Sequence, residues 1–255
     1  MKASLIIIGN EILSGRTQDK NLSYLATWLN EIGIQLTEVR VIRDEEDEIV
    51  DTVNLLRKKY DYVFTTGGIG PTHDDITSES IAKAFNVDLE TNPQALAILK
   101  EYYKDSELTE ARLKMTKIPK GAELVENPVS KAPGFKIENV FVMAGIPKIM
   151  QGMLEGAKIH LSGGKTVKSE SIDVFMPESF IAEELSNLQD KFIDVEIGSY
   201  PFVKDSKYGT SLVMRSSDEI KLSECKAEME LMLSLIHISE PTRPLYISYA
   251  VFCLK

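Results

Sequence analysis

One stretch decides the fold of this chain: Thr65-Thr66-Gly67-Gly68-Ile69-Gly70-Pro71-Thr72-His73-Asp74-Asp75-Ile76-Thr77. An apolar strand runs into three glycines within four positions and then into a helix. Glycines let backbone N–H groups approach a ligand without a Cβ in the way, and the N-terminus of the following helix favours an anion. The Gly-Lys-Ser/Thr ending of a Walker motif is absent. The stretch predicts a phosphate-binding loop, and a tight turn without a ligand is the alternative.

The elements around this loop alternate between strand and helix. This β-α-β-α-β order predicts an α/β fold with parallel strands joined by right-handed crossover helices. Ligands of such sheets bind beyond the carboxyl ends of the strands. The periodicity predicts strands over Ala3–Ile8, Gln35–Ile42, Tyr62–Thr66 and Val140–Met143, and helices over Asn21–Ile32, Glu46–Lys58, Ser78–Phe85, Pro93–Tyr103, Thr109–Lys117 and Pro147–Ile159.

The pattern of predicted elements changes after residue 164. This change predicts a first domain over residues 1–164 and a small α+β domain over residues 165–234. Within the second domain we expect strands at Lys165–Phe175, Phe192–Ile197 and Ser211–Arg215, and helices at Glu178–Gln189 and Leu222–Leu233. Residues 235–255 are predicted to form an irregular tail without a partner strand. This tail resembles a translated adapter fragment, so a non-native origin is one hypothesis, and a terminal strand or partner-binding tail is the other.

Composition narrows the classes of function. The net charge of −10 argues against a nucleic-acid binder, which would show a basic face. Two cysteines are too few for a disulfide framework and indicate a cytoplasmic protein. The apolar run at the N-terminus is too short for a signal peptide or a membrane span, so no membrane partner is expected.

Three aspartates follow two neighbouring strands. Asp74 and Asp75 lie in the glycine stretch, and Asp44 ends the strand before it. Carboxylates beside an anion-binding loop would repel phosphate unless a cation lies between them, and Mg²⁺ is often bound by one or two carboxylates together with substrate phosphates. We therefore expect Asp44, Asp74 and Asp75 to hold Mg²⁺ or another divalent cation. For Asp74 and Asp75, the alternative is that one caps the next helix while the other faces water.

Several motifs occur in an order that resembles a known family. Gly67-Gly68-Ile69-Gly70 with Asp75-Ile76-Thr77 resembles the signature of the MoaB/MogA molybdopterin-binding family. Further stretches resemble the CinA-like branch and the related domain of eukaryotic FAD synthase: Ile8-Gly9-Asn10-Glu11-Ile12-Leu13-Ser14-Gly15 with Asp19 and Asn21, Asn127-Pro128-Val129-Ser130-Lys131-Ala132-Pro133-Gly134, Gly145-Ile146-Pro147, and Ile197-Gly198-Ser199-Tyr200-Pro201 in a predicted loop.

The resemblance implies a three-layer, mostly parallel sheet and a site for a small-molecule nucleotide or pterin ligand. For the molybdopterin enzymes of the wider family it implies that an aspartate pair at Asp44 and Asp75 serves adenylyl transfer to the pterin. For the CinA-like branch it implies metal-dependent hydrolysis of nucleotide pyrophosphates such as ADP-ribose, or FAD in the eukaryotic relatives, and we expect Asp44 and Asp75 to be the catalytic residues. The substrate-binding positions that it implies are Gly9, Asn10, Glu11, Gly15, Asn21, Thr66, Gly67, Gly68, Gly70, Thr77, Lys131, Pro133, Gly134, Gly145 and Pro147.

Two alternatives remain open: a non-catalytic molybdopterin- or nucleotide-binding module, and a molybdopterin adenylyltransferase.

The amidase domain of full-length CinA proteins has no counterpart in this sequence, so deamidation of nicotinamide mononucleotide is not expected. Ala144 stands where the family usually has proline. Relatives tend to assemble, which makes a homo-oligomer an expectation.

Overall fold

The first strand, β1 (Lys2–Ile8), is apolar on both faces. Leu5 and Ile7 belong to one hydrophobic cluster, whereas Ile6 and Ile8 belong to another. Successive side chains of a strand point to opposite faces, and a strand buried on both faces carries an unbroken apolar run. β1 is therefore a central strand between two layers.

The computed structural model of the chain describes residues Met1–Ser239 and Ser248–Ala250. Contacts divide the chain into two units, with the boundary between Gly164 and Lys165. No helix among the described residues is both long enough and apolar enough to cross a membrane.

The first unit is built on a six-stranded sheet. Its other elements are α1 (Asn10–Leu13), α2 (Asn21–Glu31), β2 (Gln35–Ile42), α3 (Glu46–Lys59), β3 (Tyr62–Thr66), α4 (Thr77–Phe85), β4 (Leu89–Thr91), α5 (Pro93–Tyr102), α6 (Glu110–Lys114), β5 (Lys117–Pro119), β6 (Glu123–Val125), β7 (Gly134–Ile137), β8 (Val140–Met143) and α7 (Pro147–Ala157), which a 3₁₀ turn (Lys158–His160) follows. The strand order is β2-β1-β3-β8-β7-β6. The first four strands are parallel, and β7 runs antiparallel to both of its neighbours. β4 and β5 form a separate antiparallel pair.

Helices cover both faces of this sheet. On one face, Leu29 of α2 and Leu154 of α7 are buried in the first cluster. On the other, Leu56 of α3 and Ile81 of α4 are buried in the second. This arrangement confirms the predicted three-layer, mostly parallel α/β fold.

The second unit is a small antiparallel sheet with helices. It contains β9 (Lys168–Val174), a 3₁₀ turn (Glu178–Phe180), α8 (Ala182–Lys191), β10 (Glu196–Lys204), β11 (Lys207–Ser216), α9 (Glu219–Ser239) and β12 (Ser248–Ala250). The strand order is β10-β11-β9-β12. Leu188 of α8 and Met229 of α9 pack with Ile172 and Leu212 of the sheet, so the predicted α+β character is confirmed.

Some elements differ from the predictions. The helix expected over Thr109–Lys117 ends at Lys114, and α1 and the short strands β4–β7 were not predicted because three or four residues carry no period. The strand expected at Phe192–Ile197 begins only at Glu196 and includes the Gly198–Pro201 stretch that was expected to be a loop. Pro201 is tolerated there because β10 lies at the edge of the sheet.

The predicted irregular tail is wrong in part. α9 extends to Ser239 because its apolar face continues beyond the buried Leu233 to Ile236, which packs on the same cluster. Ser248–Ala250 also has a partner strand, since Tyr249 is in register with Ile172 of β9. Residues 240–247 and 251–255, where the rest of the expected tail falls, lie outside the described residues.

Three strand ends of the first unit meet at one glycine. Gly67 follows β3 with a φ of 107°, and a Cβ there would lie 2.1 Å from the carbonyl oxygen of Ile8. Its N–H donates to the carbonyl of Met143 at 3.1 Å. A Cβ on Gly145 would in turn lie 3.2 Å from the α-carbon of Gly67. The ends of β1, β3 and β8 can therefore lie together only if residue 67 has no side chain.

We predict that Gly67→Ala destabilises the first unit much more than Gly15→Ala does. Gly15 also has a positive φ, 72°, but nothing lies within 4 Å of a Cβ built on it. The conformational cost alone is about 1 kcal/mol, whereas the backbone clash at Gly67 raises the loss to about 4 kcal/mol. Urea unfolding monitored by circular dichroism measures both losses. Equal losses for the two variants would contradict the close approach at Gly67.

An ion cluster lies on the edge strand β2. The Glu38 carboxylate accepts hydrogen bonds from Lys59 Nζ at 2.6 Å, Tyr60 Oη at 2.6 Å and Arg40 Nε at 2.8 Å. These partners, Lys59 first, lower the pKa of Glu38 from 4.5 to about 2. Since the charged form is favoured in the fold, this stabilisation is complete above pH 4.5 and is lost as the pH falls towards 2.

Glu38→Gln is expected to lower the free energy of unfolding at pH 7 by up to about 1 kcal/mol, the upper range for solvent-accessible ion pairs. The difference from the unsubstituted protein should shrink below pH 4.5, because protonation then removes the same charge. Urea titrations at pH 7 and pH 3 measure it. Glu31→Gln, at the exposed end of α2, is the control. A pH-independent difference would contradict the proposed ion cluster.

Candidate functional site

A cavity of about 660 Å³ opens beyond the carboxyl ends of the parallel strands. The loops after β1, β2, β3 and β8 all contribute to it, as does the connection between β6 and β7. This is the place where open parallel sheets bind their ligands. The predicted site residues that line the cavity are Glu11, Asp44, Gly67, Gly68, Gly70, Asp74, Asp75, Gly145 and Pro147.

Other predicted site residues do not line the cavity. They are Gly9, Asn10, Gly15, Asn21, Thr66, Thr77, Lys131, Pro133 and Gly134. Thr77, which is fully buried, donates from its hydroxyl to the carbonyl of Gly67 at 3.0 Å. This bond anchors the loop to the start of α4. The N–H of Asn10 donates to Asp44 Oδ2 at 2.8 Å and orients that carboxylate.

Asn21 braces the loop after β8. Its side chain is buried at the start of α2, and its Nδ2 donates to the carbonyl of Gly145 at 2.7 Å. Its Oδ1 has no hydrogen-bond partner among the described residues. Asn21 is therefore a positioning residue for the Gly145 loop.

The loop between β6 and β7 presents different side chains from those expected. Asn127 organises it, because Asn127 Oδ1 accepts from the N–H of Ser130 at 3.1 Å and Asn127 Nδ2 donates to the carbonyl of Ala132 at 2.7 Å. As a result Asn127, Ser130 and Ala132 line the cavity, and Lys131 does not. Gly134 is required by packing, since a Cβ there would lie 2.5 Å from the carbonyl oxygen of Val142.

The glycine loop exposes backbone donors. Among the described residues, no protein group accepts a hydrogen bond from the N–H of Gly68, Ile69 or Gly70. A Cβ on Gly70 would lie 2.7 Å from Asp75 Oδ2, so the glycine also lets that carboxylate fold against the loop. Successive unpaired N–H groups in such a turn form a concavity suited to an anion.

Hydrogen bonds hold Asp75, the second aspartate of the loop. Asp75 Oδ2 accepts from the N–H of Thr72 at 2.8 Å and from the Thr72 hydroxyl. The carbonyl of Thr72 accepts from Lys114 Nζ at 2.7 Å. Hydrogen bonding to Thr72 lowers the pKa of Asp74, with His73 and Lys114 adding to the effect. The Asp75 carboxylate is thus fixed to a braced turn, whereas Asp74 is exposed.

The structure does not gather the three aspartates into a ready-made metal site. Among the described residues, no group of three or more His, Cys, Asp or Glu side chains is close enough to hold a metal ion. The prediction that Asp44, Asp74 and Asp75 together form such a site is therefore not met by the protein alone. Asp44 and Asp75 still line one cavity, and one or two carboxylates suffice for a magnesium ion that phosphate oxygens also bind.

Sequence reasoning missed one wall of the cavity. Tyr103, at the end of α5, and Met115, after α6, both line it. Neither belongs to a motif, and the connection that carries them gives no local signal of a site. Asn127 and Ser130 belong to the motif over residues 127–134, but the ligand contacts predicted within that motif are Lys131, Pro133 and Gly134.

Comparisons with known proteins divide the chain as the structure does. Residues 4–161 match the family described as "Probable molybdopterin binding domain". Residues 166–241 match the family described as "FAD synthase, middle domain".

Curated relatives and a solved structure extend these matches. A protein of Archaeoglobus fulgidus is 36% identical over 239 residues, which cover 92% of this chain and 99% of the relative. A protein of Sulfurisphaera tokodaii is 38% identical over a match that covers 78% of this chain and 80% of the relative. The crystal structure of "the protein CinA with unknown function" from Thermoplasma acidophilum is 38% identical, with a TM-score of 0.59 over 63% of this chain and 98% of that one. The chain therefore belongs to the MoaB/MogA molybdopterin-binding domain family, in the CinA-like form in which a FAD-synthase-type middle domain follows.

Proposed function

We propose that the first unit hydrolyses a nucleotide pyrophosphate, such as ADP-ribose or FAD, with the help of Mg²⁺ or another divalent cation. One observation carries this proposal. The cavity combines the unpaired amides of the glycine loop with four carboxylates, those of Glu11, Asp44, Asp74 and Asp75, and no Lys, Arg or His is among its described lining residues.

The acidic lining makes a cation necessary for an anionic ligand. A pyrophosphate at the glycine loop lies beside carboxylates of the same sign, and no described side chain of the lining offsets that repulsion. Oxygen ligands from aspartate and phosphate suit magnesium. Asp44 and Asp75 would hold the ion jointly with the pyrophosphate, and the ion would supply neutralisation of the charge that develops on the phosphate oxygens.

The chain's own groups would do the remaining work. The N–H groups of Gly68, Ile69 and Gly70 donate to phosphate oxygens and stabilise the negative charge as it grows. A cavity carboxylate that no substrate group occupies accepts a proton from the attacking water. The water oxygen bonds to phosphorus, the bridging P–O bond breaks, and the second phosphate leaves with that oxygen. From ADP-ribose the products are AMP and ribose 5-phosphate.

A second candidate is a binding module that holds a molybdopterin-like ligand without turnover. The description of the matching family supports the ligand. In the third alternative, adenylyl transfer, the same loop would bind the phosphates of ATP.

The hydrolase proposal predicts metal-dependent AMP release from ADP-ribose or FAD. Incubation with Mg²⁺, Mn²⁺ or Co²⁺ followed by chromatography measures the AMP. We expect Asp75→Asn to lower the rate at least about 100-fold, because the amide oxygen can still accept from Thr72 but carries no charge for the cation. Removal of divalent ions with a chelator should abolish the rate, and added Mg²⁺ should restore it.

Asp51→Asn is the matched control, since Asp51 is an exposed aspartate on α3 outside the cavity. It should leave the rate unchanged. Ligand binding without AMP release under every metal would replace the hydrolase by the binding module. ATP-dependent adenylylation of a pterin would replace it by the transferase.

A further inference from the structure

We propose that Tyr103, backed by Arg112, is the platform on which the planar ring of the ligand stacks. This inference rests on the proposed function and deepens it, because it assigns the ring of a nucleotide or pterin to one wall of the same cavity. Neither residue belongs to the motifs that define the glycine loop.

The Tyr103 ring is held by a stacked cation. The guanidinium carbon of Arg112 lies 4.0 Å from the centroid of the ring. Arg112 Nη1 is itself anchored, since it donates to Ser106 Oγ at 3.3 Å and to the carbonyl of Glu107. A guanidinium over an aromatic face is an attractive contact, so it fixes the ring before any ligand arrives.

Arg112 keeps its charge available for this contact. Its described acceptors are a hydroxyl and a peptide carbonyl, and within the described part of the chain no carboxylate forms an ion pair with it. The backbone around the ring is also fixed, because Tyr103 directly follows α5 and its N–H donates to the carbonyl of Leu99 at 2.9 Å. The Tyr103 carbonyl accepts from the N–H of Ser106 at 2.8 Å.

The platform lies beside the phosphate loop. Lys114 of α6 donates to the carbonyl of Thr72 at 2.7 Å, which ties this wall to the turn that carries Asp75. Met115, the next residue, lines the cavity together with Tyr103 and Pro71. The wall formed by Pro71, Tyr103 and Met115 is therefore apolar and aromatic. The other group of lining residues carries the carboxylates and the unpaired N–H groups of the glycine loop. A ligand that carries a planar ring and a pyrophosphate matches both walls, whereas a phosphate without a ring matches one.

Two probes separate ring recognition from phosphate recognition. α,β-Methylene-ADP carries a purine ring on a non-hydrolysable diphosphate, and methylenediphosphonate is the same diphosphate without the ring. Calorimetric titrations in Mg²⁺ give both affinities for the full chain. Tyr103→Ala should weaken the binding of α,β-methylene-ADP roughly tenfold or more, as loss of one base–aromatic stack does. It should leave the binding of methylenediphosphonate unchanged.

Three further variants sharpen the test. Tyr103→Phe keeps the ring and should retain the affinity for α,β-methylene-ADP. Arg112→Gln should give a smaller loss with the same probe. Tyr24→Ala removes a half-exposed tyrosine of α2 that does not line the cavity, and it should change neither affinity.

The outcomes distinguish this inference from the proposed function. Equal losses for both probes in Tyr103→Ala, or no loss for either, would overturn the platform and leave the phosphate site standing. Equal affinity of the unsubstituted protein for the two probes would do the same. If the unsubstituted protein binds neither probe, the proposed function fails and the platform fails with it.

Discussion

The carbonyl oxygen of Ile8 lies so close to Gly67 that a Cβ on residue 67 would be 2.1 Å from it. This contact lets β1 and β3 end at the same level, and Gly145 then packs on the α-carbon of Gly67 from the β8 side. Asn21 holds the Gly145 carbonyl in place from α2. The loops after β1, β3 and β8 start from this junction, so the positions of the Gly68–Gly70 amides and of Asp75 depend on the absence of a side chain at residue 67.

Much of the first unit could be predicted because its central strands carry strong local patterns. The bounds expected for Gln35–Ile42, Tyr62–Thr66 and Val140–Met143 are those of the structure. Two of the elements that differ from the predictions, one in each unit, show why local patterns fail. The helix expected up to Lys117 gives way to a three-residue strand, and Pro201 lies inside an edge strand. Short strands have no measurable period, and an edge strand tolerates a proline that local rules place in a loop.

The candidate site was predictable to the extent that it follows strand ends. The glycine loop and Asp44 come directly after β3 and β2, so their meeting follows from the parallel order of the strands. Tyr103 and Met115 reach the cavity through a long-range contact, in which Lys114 donates to the carbonyl of Thr72, 42 positions earlier. A single sequence carries no record of such a contact.

The acidic lining decides how the proposed site can discriminate among ligands. In the proposed function, the four carboxylates of the cavity repel an anionic ligand, and a divalent ion shared between protein and ligand offsets this repulsion. Two adjacent phosphates can share one ion better than a single phosphate can, because both present oxygens at the spacing of one coordination shell. In the proposed function the carboxylates therefore select for a pyrophosphate, and the aromatic wall selects among pyrophosphates by the ring attached to them.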